Sequence, residues 1–330
     1  MSQEESVSQI ERPARFGASA PAPDPAVARW IRGTLARVPP RAPSLIVTVW
    51  GDALAPHGGS IWLRDLIDLL GPFGVSERLT RTSVFRLTRD GWLRRESHGR
   101  QSRYRLTMEG ERRFAAAYRK IYAASTRDWN ARWELLLVRA NGLGAPMRHA
   151  LRDELHWAGF ALYAPGAYAR PARGGDELAS LVERLGVTQA VTIVDGGEAS
   201  SLAPLAARIG DGWDLSAVER DYRRFLARFG GVIDRFRMRG ADASDPEQCF
   251  VVRTLLIHAY RRVLLRDPQL PGSLLPLDWP GAAAHALTRD FYQLTLRRAE
   301  SHLAQTLALR GERWPTADDA FYARFGGLDR

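Results

Sequence analysis

Residues 76–107 read SERLTRTSVFRLTRDGWLRRESHGRQSRYRLT, and this stretch decides the fold predicted for the first part of the chain. Ser76 is a typical helix N-cap, and Glu77 follows in the first turn, where a negative charge stabilises the helix dipole. Gly91 ends the helix. Beyond it the apolar residues follow a period of two around a turn at residues 98–99, which predicts a β-hairpin.

Two further helices are predicted before this one. Residues 44–55 carry apolar side chains at helical spacing, and Ser60 is predicted to cap a second helix that ends near residue 70. Gly74 supplies the turn into the helix at residue 76. Helix, turn, helix and hairpin in this order indicate a winged helix-turn-helix, and with a further helix capped by Thr107 it fills a domain at 44–126.

The helix that starts at Ser76 has two chemically different faces. A step of about 100° per residue places Thr80, Val84 and Leu87 together on one face. Phe85 lies among arginines; it could touch a thymine methyl group or pack beneath the hairpin, and we favour packing. The DNA-binding residues predicted from this helix and from the hairpin tip are Arg78, Arg81, Thr82, Ser83, Arg86, Arg89, Arg100, Gln101, Ser102 and Arg103.

Positive charge is concentrated in this part of the chain. Residues 76–120 hold thirteen basic and five acidic residues, a net charge of +8 out of a formal +10 for the whole chain. A basic helix followed directly by a basic hairpin favours a polyanionic partner, and double-stranded DNA is the first to consider. Alone, the hairpin would be read equally well as an ordinary charged surface.

Composition restricts the remaining possibilities. The 330 residues are 45% hydrophobic and 25% charged, and no apolar run approaches the ~20 residues that a membrane span needs. We expect neither a secretory signal nor a transit peptide, and hence a cytoplasmic protein. The single cysteine, Cys249, excludes an internal disulfide and a multi-cysteine metal site.

Three further regions complete the predicted α+β architecture. Residues 1–43 are rich in proline and are expected to be a disordered arm, within which residues 27–38 could form one helix. Strands and helices alternate over residues 127–212, which predicts a ferredoxin-like (Cas2-like) module. Residues 213–330 are predicted to form an all-helical domain for effector binding or dimerisation.

Several motifs resemble the PaaX family, the repressors of phenylacetic acid catabolism. They are SLIVTVWGD at 44–52, ERLTRTSVFRL at 77–87, DGWL at 90–93 and SRYRLT at 102–107, with RDPQLP at 266–271 and LPLDWPG at 275–281. The resemblance spans about residues 44–309. It implies a homodimeric repressor of an aromatic-acid catabolic operon, released from its operator by an aryl-CoA thioester such as phenylacetyl-CoA. No cofactor is implied.

The best candidates for an effector site lie in the helical domain. Arginines could hold the phosphates of CoA, and aromatic rings could stack on its adenine or on the aryl group. These residues are Arg253, His258, Tyr260, Arg261, Arg262 and Trp279. A solvated basic face beside a packed tryptophan loop is the simpler interpretation of the same pattern.

Other functions remain open at this stage. His149, Asp153 and His156 share one helix face at spacings typical of metal ligands, but no fourth ligand clusters with them, so no metal site is predicted. The chain has no Walker loop, dinucleotide-binding glycine pattern or nucleophile elbow, and we expect it not to be an enzyme. The alternatives are an acyl-CoA-binding enzyme with a basic regulatory domain and an RNA-binding module.

Overall fold

The computed structural model describes residues 21–99, 101–122, 129, 132–139, 142–172, 176–198, 213–240, 242–308 and 314–329. Three hydrophobic clusters organise them. The largest joins the N-terminal helices to the C-terminal helices in one continuous core, and two smaller clusters lie on opposite faces of a central sheet.

The segment before residue 44 contains a packed helix. Helix α1 (Pro25–Arg37) begins after Asp24, whose carboxylate accepts from the backbone N–H of Ala26 at 2.8 Å and from Nε of Arg235 at 2.6 Å. The Arg235 hydrogen bond lowers the pKa of Asp24 to about 2. Val27 is buried in the main core. The expectation of a disordered arm is therefore wrong for residues 24–37, because the helix buries an apolar face against the C-terminal helices.

The N-terminal module follows. Helix α2 (Ala42–Val49) continues through a π-helical turn (Trp50–Leu54) and a 3-10 turn (Ala55–His57). Strand β1 (Ser60–Trp62) and helix α3 (Leu63–Leu70) come next. Ser60 was predicted to be a helix N-cap, and this is wrong: it lies in β1, opposite Arg105 of the hairpin. A three-residue strand is too short to show a period of two in the sequence.

A turn at Gly74, whose φ is 74°, leads from α3 to helix α4 (Glu77–Arg89). Strands β2 (Leu93–His98) and β3 (Gln101–Leu106) form the predicted hairpin, and the sheet has the order β1-β3-β2. Helix α5 (Met108–Tyr122) follows Thr107, whose Oγ1 accepts from the N–H of Gly110 at 2.9 Å.

The central region is an antiparallel sheet with two helices. Its elements in chain order are β4 (Arg132–Val138), α6 (Ala145–Trp157), β5 (Ala161–Ala164), β6 (Ala167–Pro171), α7 (Glu177–Arg184) and β7 (Val191–Glu198). The strand order β5-β6-β4-β7 is that of a ferredoxin-like module, as predicted. Strand β6 was not predicted from the sequence, because its inward residues include the small Ala167 and Ala169, which give a weak apolar pattern.

The C-terminal region is helical, as predicted. Helices α8 (Leu215–Arg239), α9 (Pro246–Leu264) and α10 (Gly281–Ala308) are long, and a single turn, α11 (Asp319–Tyr322), follows. Helix α9 is buried on nearly all sides because α1, α2, α8 and α10 all contact it. Within the described ranges, no helix combines the length and apolarity needed to cross a membrane.

Candidate nucleic-acid interface

Helix α4 has one packed face and one exposed face. Thr80, Ser83, Val84 and Leu87 are buried against the N-terminal core. The side chains exposed on the opposite face include five of the predicted DNA-binding residues, Arg78, Arg81, Thr82, Arg86 and Arg89. Ser83 was predicted to contact DNA as well, but it is only 1% exposed because its position on the helix turns it toward the core.

Capping and ion pairs fix the geometry of α4. The Oγ of Ser76 accepts from the N–H of Leu79 at 3.3 Å, so the first turn is held in place. Arg81 pairs with Glu77 at 2.7 Å, and Arg89 pairs with Asp90 at 3.0 Å. Among the residues that the structure describes, no ion-pair partner is found for the exposed Arg86. The outer face of α4 therefore carries a strong excess of positive charge.

The hairpin continues the basic surface after Gly91. Nε of Arg95 donates to Oγ of Ser102 at 2.9 Å, which ties the two strands together near the tip. The guanidinium of Arg103 lies 5.5 Å from the centre of the Trp62 ring, and this contact joins the hairpin to β1. Gln101 is exposed and Ser102 is half-buried, whereas the predicted contact Arg100 lies outside the described residues.

Arg95 and Phe85 are exposed on this surface but were not among the predicted DNA contacts. Arg95 is exposed on β2 and donates to Ser102 of β3; its position within the predicted basic hairpin could have identified it. Phe85 is 68% exposed on α4. Our preferred interpretation, that Phe85 packs beneath the hairpin, is wrong, because Phe85 lies on the side of α4 opposite its buried residues.

Comparison with known proteins shows which family this chain resembles. Residues 41–110 match the family described as PaaX-like protein, residues 126–205 the PaaX protein central Cas2-like domain, and residues 213–305 the PaaX-like protein C-terminal domain. The chain is 34% identical over 302 residues to the transcriptional repressor PaaX of Escherichia coli (strain K12), covering 91% of this chain and 95% of that protein. This chain belongs to the PaaX family of transcriptional repressors.

A solved structure also resembles this PaaX-family chain. It is an uncharacterized protein from Mycobacterium tuberculosis, 29% identical, which matches 73% of this chain and 90% of its own, with a TM-score of 0.48.

The effector residues predicted for this PaaX-family chain do not share one accessible surface. Arg253 is fully buried, and its guanidinium lies 3.2 Å from Glu300 and 3.6 Å from Asp52. Burial opposes its charge, but the nearby Tyr292, Asp52 and Glu300 hold the pKa of Arg253 above its ordinary value. The cationic charge that suggested a phosphate site is thus already neutralised inside the protein.

The other predicted effector residues are also mostly structural. Nδ1 of His258 and Oγ1 of Thr48 lie 2.8 Å apart at the contact between α9 and α2. The buried ring of Tyr260 packs 5.6 Å from that of Phe225, and the half-buried Trp279 packs 6.1 Å from Tyr222. Arg261 is half-buried and only Arg262 is exposed. A helix with apolar residues on nearly all sides also buries its polar residues. The apolar residues around α9 could have predicted that Arg253 and His258 are buried.

The histidines of α6 were the remaining candidates in this PaaX-family chain. Nδ1 of His149 lies 2.8 Å from the carbonyl oxygen of Ala145, within its own helix. No group of three possible metal ligands forms within the described ranges.

Proposed function

We propose that this PaaX-family protein represses transcription by binding double-stranded DNA through a winged helix-turn-helix. Helix α4 would enter the major groove, and the hairpin of β2 and β3 would act as the wing on the adjacent backbone. The observation that carries this proposal is the exposed face of α4, where four arginines and Thr82 surround a single aromatic ring.

The physical argument rests on how α4 is held. Its buried residues, Val84 and Leu87 among them, anchor the helix to the core, so the exposed side chains are presented on a rigid support. Arginine forms paired hydrogen bonds with the O6 and N7 atoms of guanine and also neutralises phosphates. The guanidinium of Arg86 would bind DNA without first breaking an ion pair to another described residue. Arg81 would have to give up its ion pair with Glu77 to contact DNA.

We further propose that the protein is a cytoplasmic homodimer that reads two half-sites about one helical turn, or ~10 bp, apart. Its target would be a phenylacetate-type catabolic operon, and an aryl-CoA thioester such as phenylacetyl-CoA would release it. The similarity to the repressor PaaX of Escherichia coli over almost the whole chain supports this assignment. The effector residues stay unassigned, since Arg253, His258 and Tyr260 lie in the packed interior.

The experiment is a gel shift with DNA from upstream of the protein's own gene cluster. We expect a specific complex that phenylacetyl-CoA dissolves and free phenylacetate does not. The double variant Arg81→Ala with Arg86→Ala should lose specific binding. The matched control is Arg148→Ala with Arg152→Ala, which removes two exposed arginines one turn apart from α6. It should bind like the parent protein.

Each other outcome changes a different part of the proposal. A complex that ignores the thioester would keep DNA binding and remove this effector. Equal losses of DNA affinity in the two double variants would show that binding depends only on the total charge. The proposal that α4 forms the interface would then be wrong. The absence of any specific complex would contradict DNA recognition, and preference for RNA or turnover of the thioester would replace it.

A further inference from the structure

Phe85 lies at the centre of the exposed face of α4. The buried residues Thr80, Ser83, Val84 and Leu87 define one direction around the helix, and a step of about 100° per residue puts Phe85 within about 30° of the opposite direction. Its ring belongs to none of the three hydrophobic clusters formed by the described residues. The packing of this chain alone therefore gives no reason for a phenyl ring at this position.

The neighbours of Phe85 restrict what can cover it. Arg81 and Thr82 lie one turn before it and Arg89 one turn after it, and all three are exposed. An apolar partner surface would have to desolvate the two guanidinium groups and their exposed carboxylate partners, Glu77 and Asp90, together with the ring, which is costly. The occupant must be a polyanion that also presents an apolar group.

Duplex DNA meets both requirements in its major groove. Phosphates line the edges of the groove, and the C5-methyl group of thymine is the apolar group that bases present there. RNA offers the same phosphates but carries uracil, which lacks the methyl group. The charges around Phe85 and the ring itself thus favour thymine-containing DNA over other polyanions.

We propose that Phe85 is a specificity-determining residue that contacts a thymine methyl group within each operator half-site. This inference rests on the proposed function and deepens it. The arginines around the ring bind phosphates and guanine edges, while Phe85 distinguishes thymine from cytosine or uracil at one position.

The test uses the full-length protein and the operator fragment defined by footprinting the upstream DNA. Each thymine in the footprint is replaced in turn by deoxyuridine, which removes only the methyl group and keeps base pairing. The unsubstituted protein should lose affinity by about fourfold at one position per half-site, the effect of one buried methyl-sized group. At all other positions its affinity should be nearly unchanged.

The variant Phe85→Ala should bind the thymine and deoxyuridine operators equally well at that position. Because Phe85 is exposed, we expect its circular dichroism spectrum and unfolding curve to match those of the parent. Met238→Ala removes a similarly exposed apolar side chain from α8, and it should keep the full fourfold discrimination. Phe85→Leu, which keeps an apolar side chain, should retain part of it.

The failure of this inference differs from the failure of the proposed function. A footprint with no deoxyuridine-sensitive position, or with equal sensitivity in Phe85→Ala, would overturn the role of Phe85 and leave the repressor assignment intact. The absence of a footprint would overturn the proposed function and the role of Phe85 with it.

Discussion

The guanidinium of Arg324 donates to the backbone carbonyl of Asp52 at 3.0 Å and lies 3.3 Å from its carboxylate, although 272 positions separate the two residues. Both side chains are fully buried. Tyr122 also donates to the Asp52 carboxylate, at 2.6 Å, and Arg324 donates to the hydroxyl of Tyr292. Asp52 thus joins the N-terminal module, α5, α10 and the C-terminal segment in one buried network.

We expect Arg324→Met to lower the free energy of unfolding by about 3–5 kcal/mol, because the buried Asp52 carboxylate would lose one of the two guanidinium groups beside it and keep only that of Arg253, at 3.6 Å. Urea denaturation at neutral pH measures this change. Arg289→Met is the control, since Arg289 forms only an exposed ion pair with Asp290 and its loss should cost less than about 1 kcal/mol. Equal costs for both variants would mean that water or another cation compensates Asp52.

His258 should make the protein less stable at mildly acidic pH. Burial, with the positive charges of Arg261 and Arg262, lowers the pKa of His258 to about 4. A histidine in the unfolded chain titrates near 6.5. Between pH 6.5 and pH 4 the unfolded chain therefore binds more protons than the folded protein, and the free energy of unfolding decreases as the pH is lowered. The contribution is complete above pH 6.5 and is lost progressively toward pH 4.

The variant His258→Gln checks this pH dependence because it keeps a polar partner for Thr48 and does not titrate. Unfolding free energies measured from pH 7 to 4 should decline less steeply in the variant, by at most roughly 3 kcal/mol in total. His302, whose pKa burial also lowers, remains in both proteins and cancels in the comparison. Parallel curves would contradict the prediction.

The salt dependence of DNA binding should report on the arginines of α4. The logarithm of the binding affinity falls linearly with the logarithm of the salt concentration, and each phosphate contact adds about 0.9 to the steepness of this line. Arg81→Ala with Arg86→Ala should therefore reduce this slope by about 0.9 for each of the two guanidinium groups that contacts a phosphate, and hence by up to about 1.8. Fluorescence anisotropy between 50 and 200 mM salt measures the slope. The control, Arg148→Ala with Arg152→Ala, should leave it unchanged.

The N-cap of α4 should be required for its full stability. Ser76→Ala removes the acceptor for the N–H of Leu79 and should cost about 1 kcal/mol of unfolding free energy. Ser76→Asp restores an acceptor at the same place and should recover most of the loss. If Ser76→Asp were as unstable as Ser76→Ala, the cap would have no part in the effect.

Local patterns in the sequence predicted the elements that depend on local chemistry. The two faces of α4 follow from residues at helical spacing, and the hairpin follows from a change of period at Gly91. Strand β1 was missed because its pairing partner, β3, lies more than forty residues later in the chain. Helical spacing had put Phe85 among the arginines, and packing was favoured only because a phenyl ring is more often buried than exposed.

The buried network could not be predicted from the sequence. Asp52, Arg253, Glu300 and Arg324 come from four distant segments, and each of them alone resembles an ordinary surface charge. Arg253 was therefore considered as a candidate for an effector site or a solvated helix face, whereas it lies in the core. Only the three-dimensional packing of α9 and α10 shows that these charges neutralise one another.

The distance in sequence between Asp52 and Arg324 also sets an order of events during synthesis. A ribosome adds ~5–20 residues per second, so Asp52 exists for roughly 14–54 s before Arg324 is made. During that time the N-terminal module has no guanidinium from the C-terminal segment to offset a buried carboxylate. The nascent N-terminal module therefore completes its core only after residue 324 has been translated, and a chain that lacks this C-terminal segment would carry an incomplete N-terminal module.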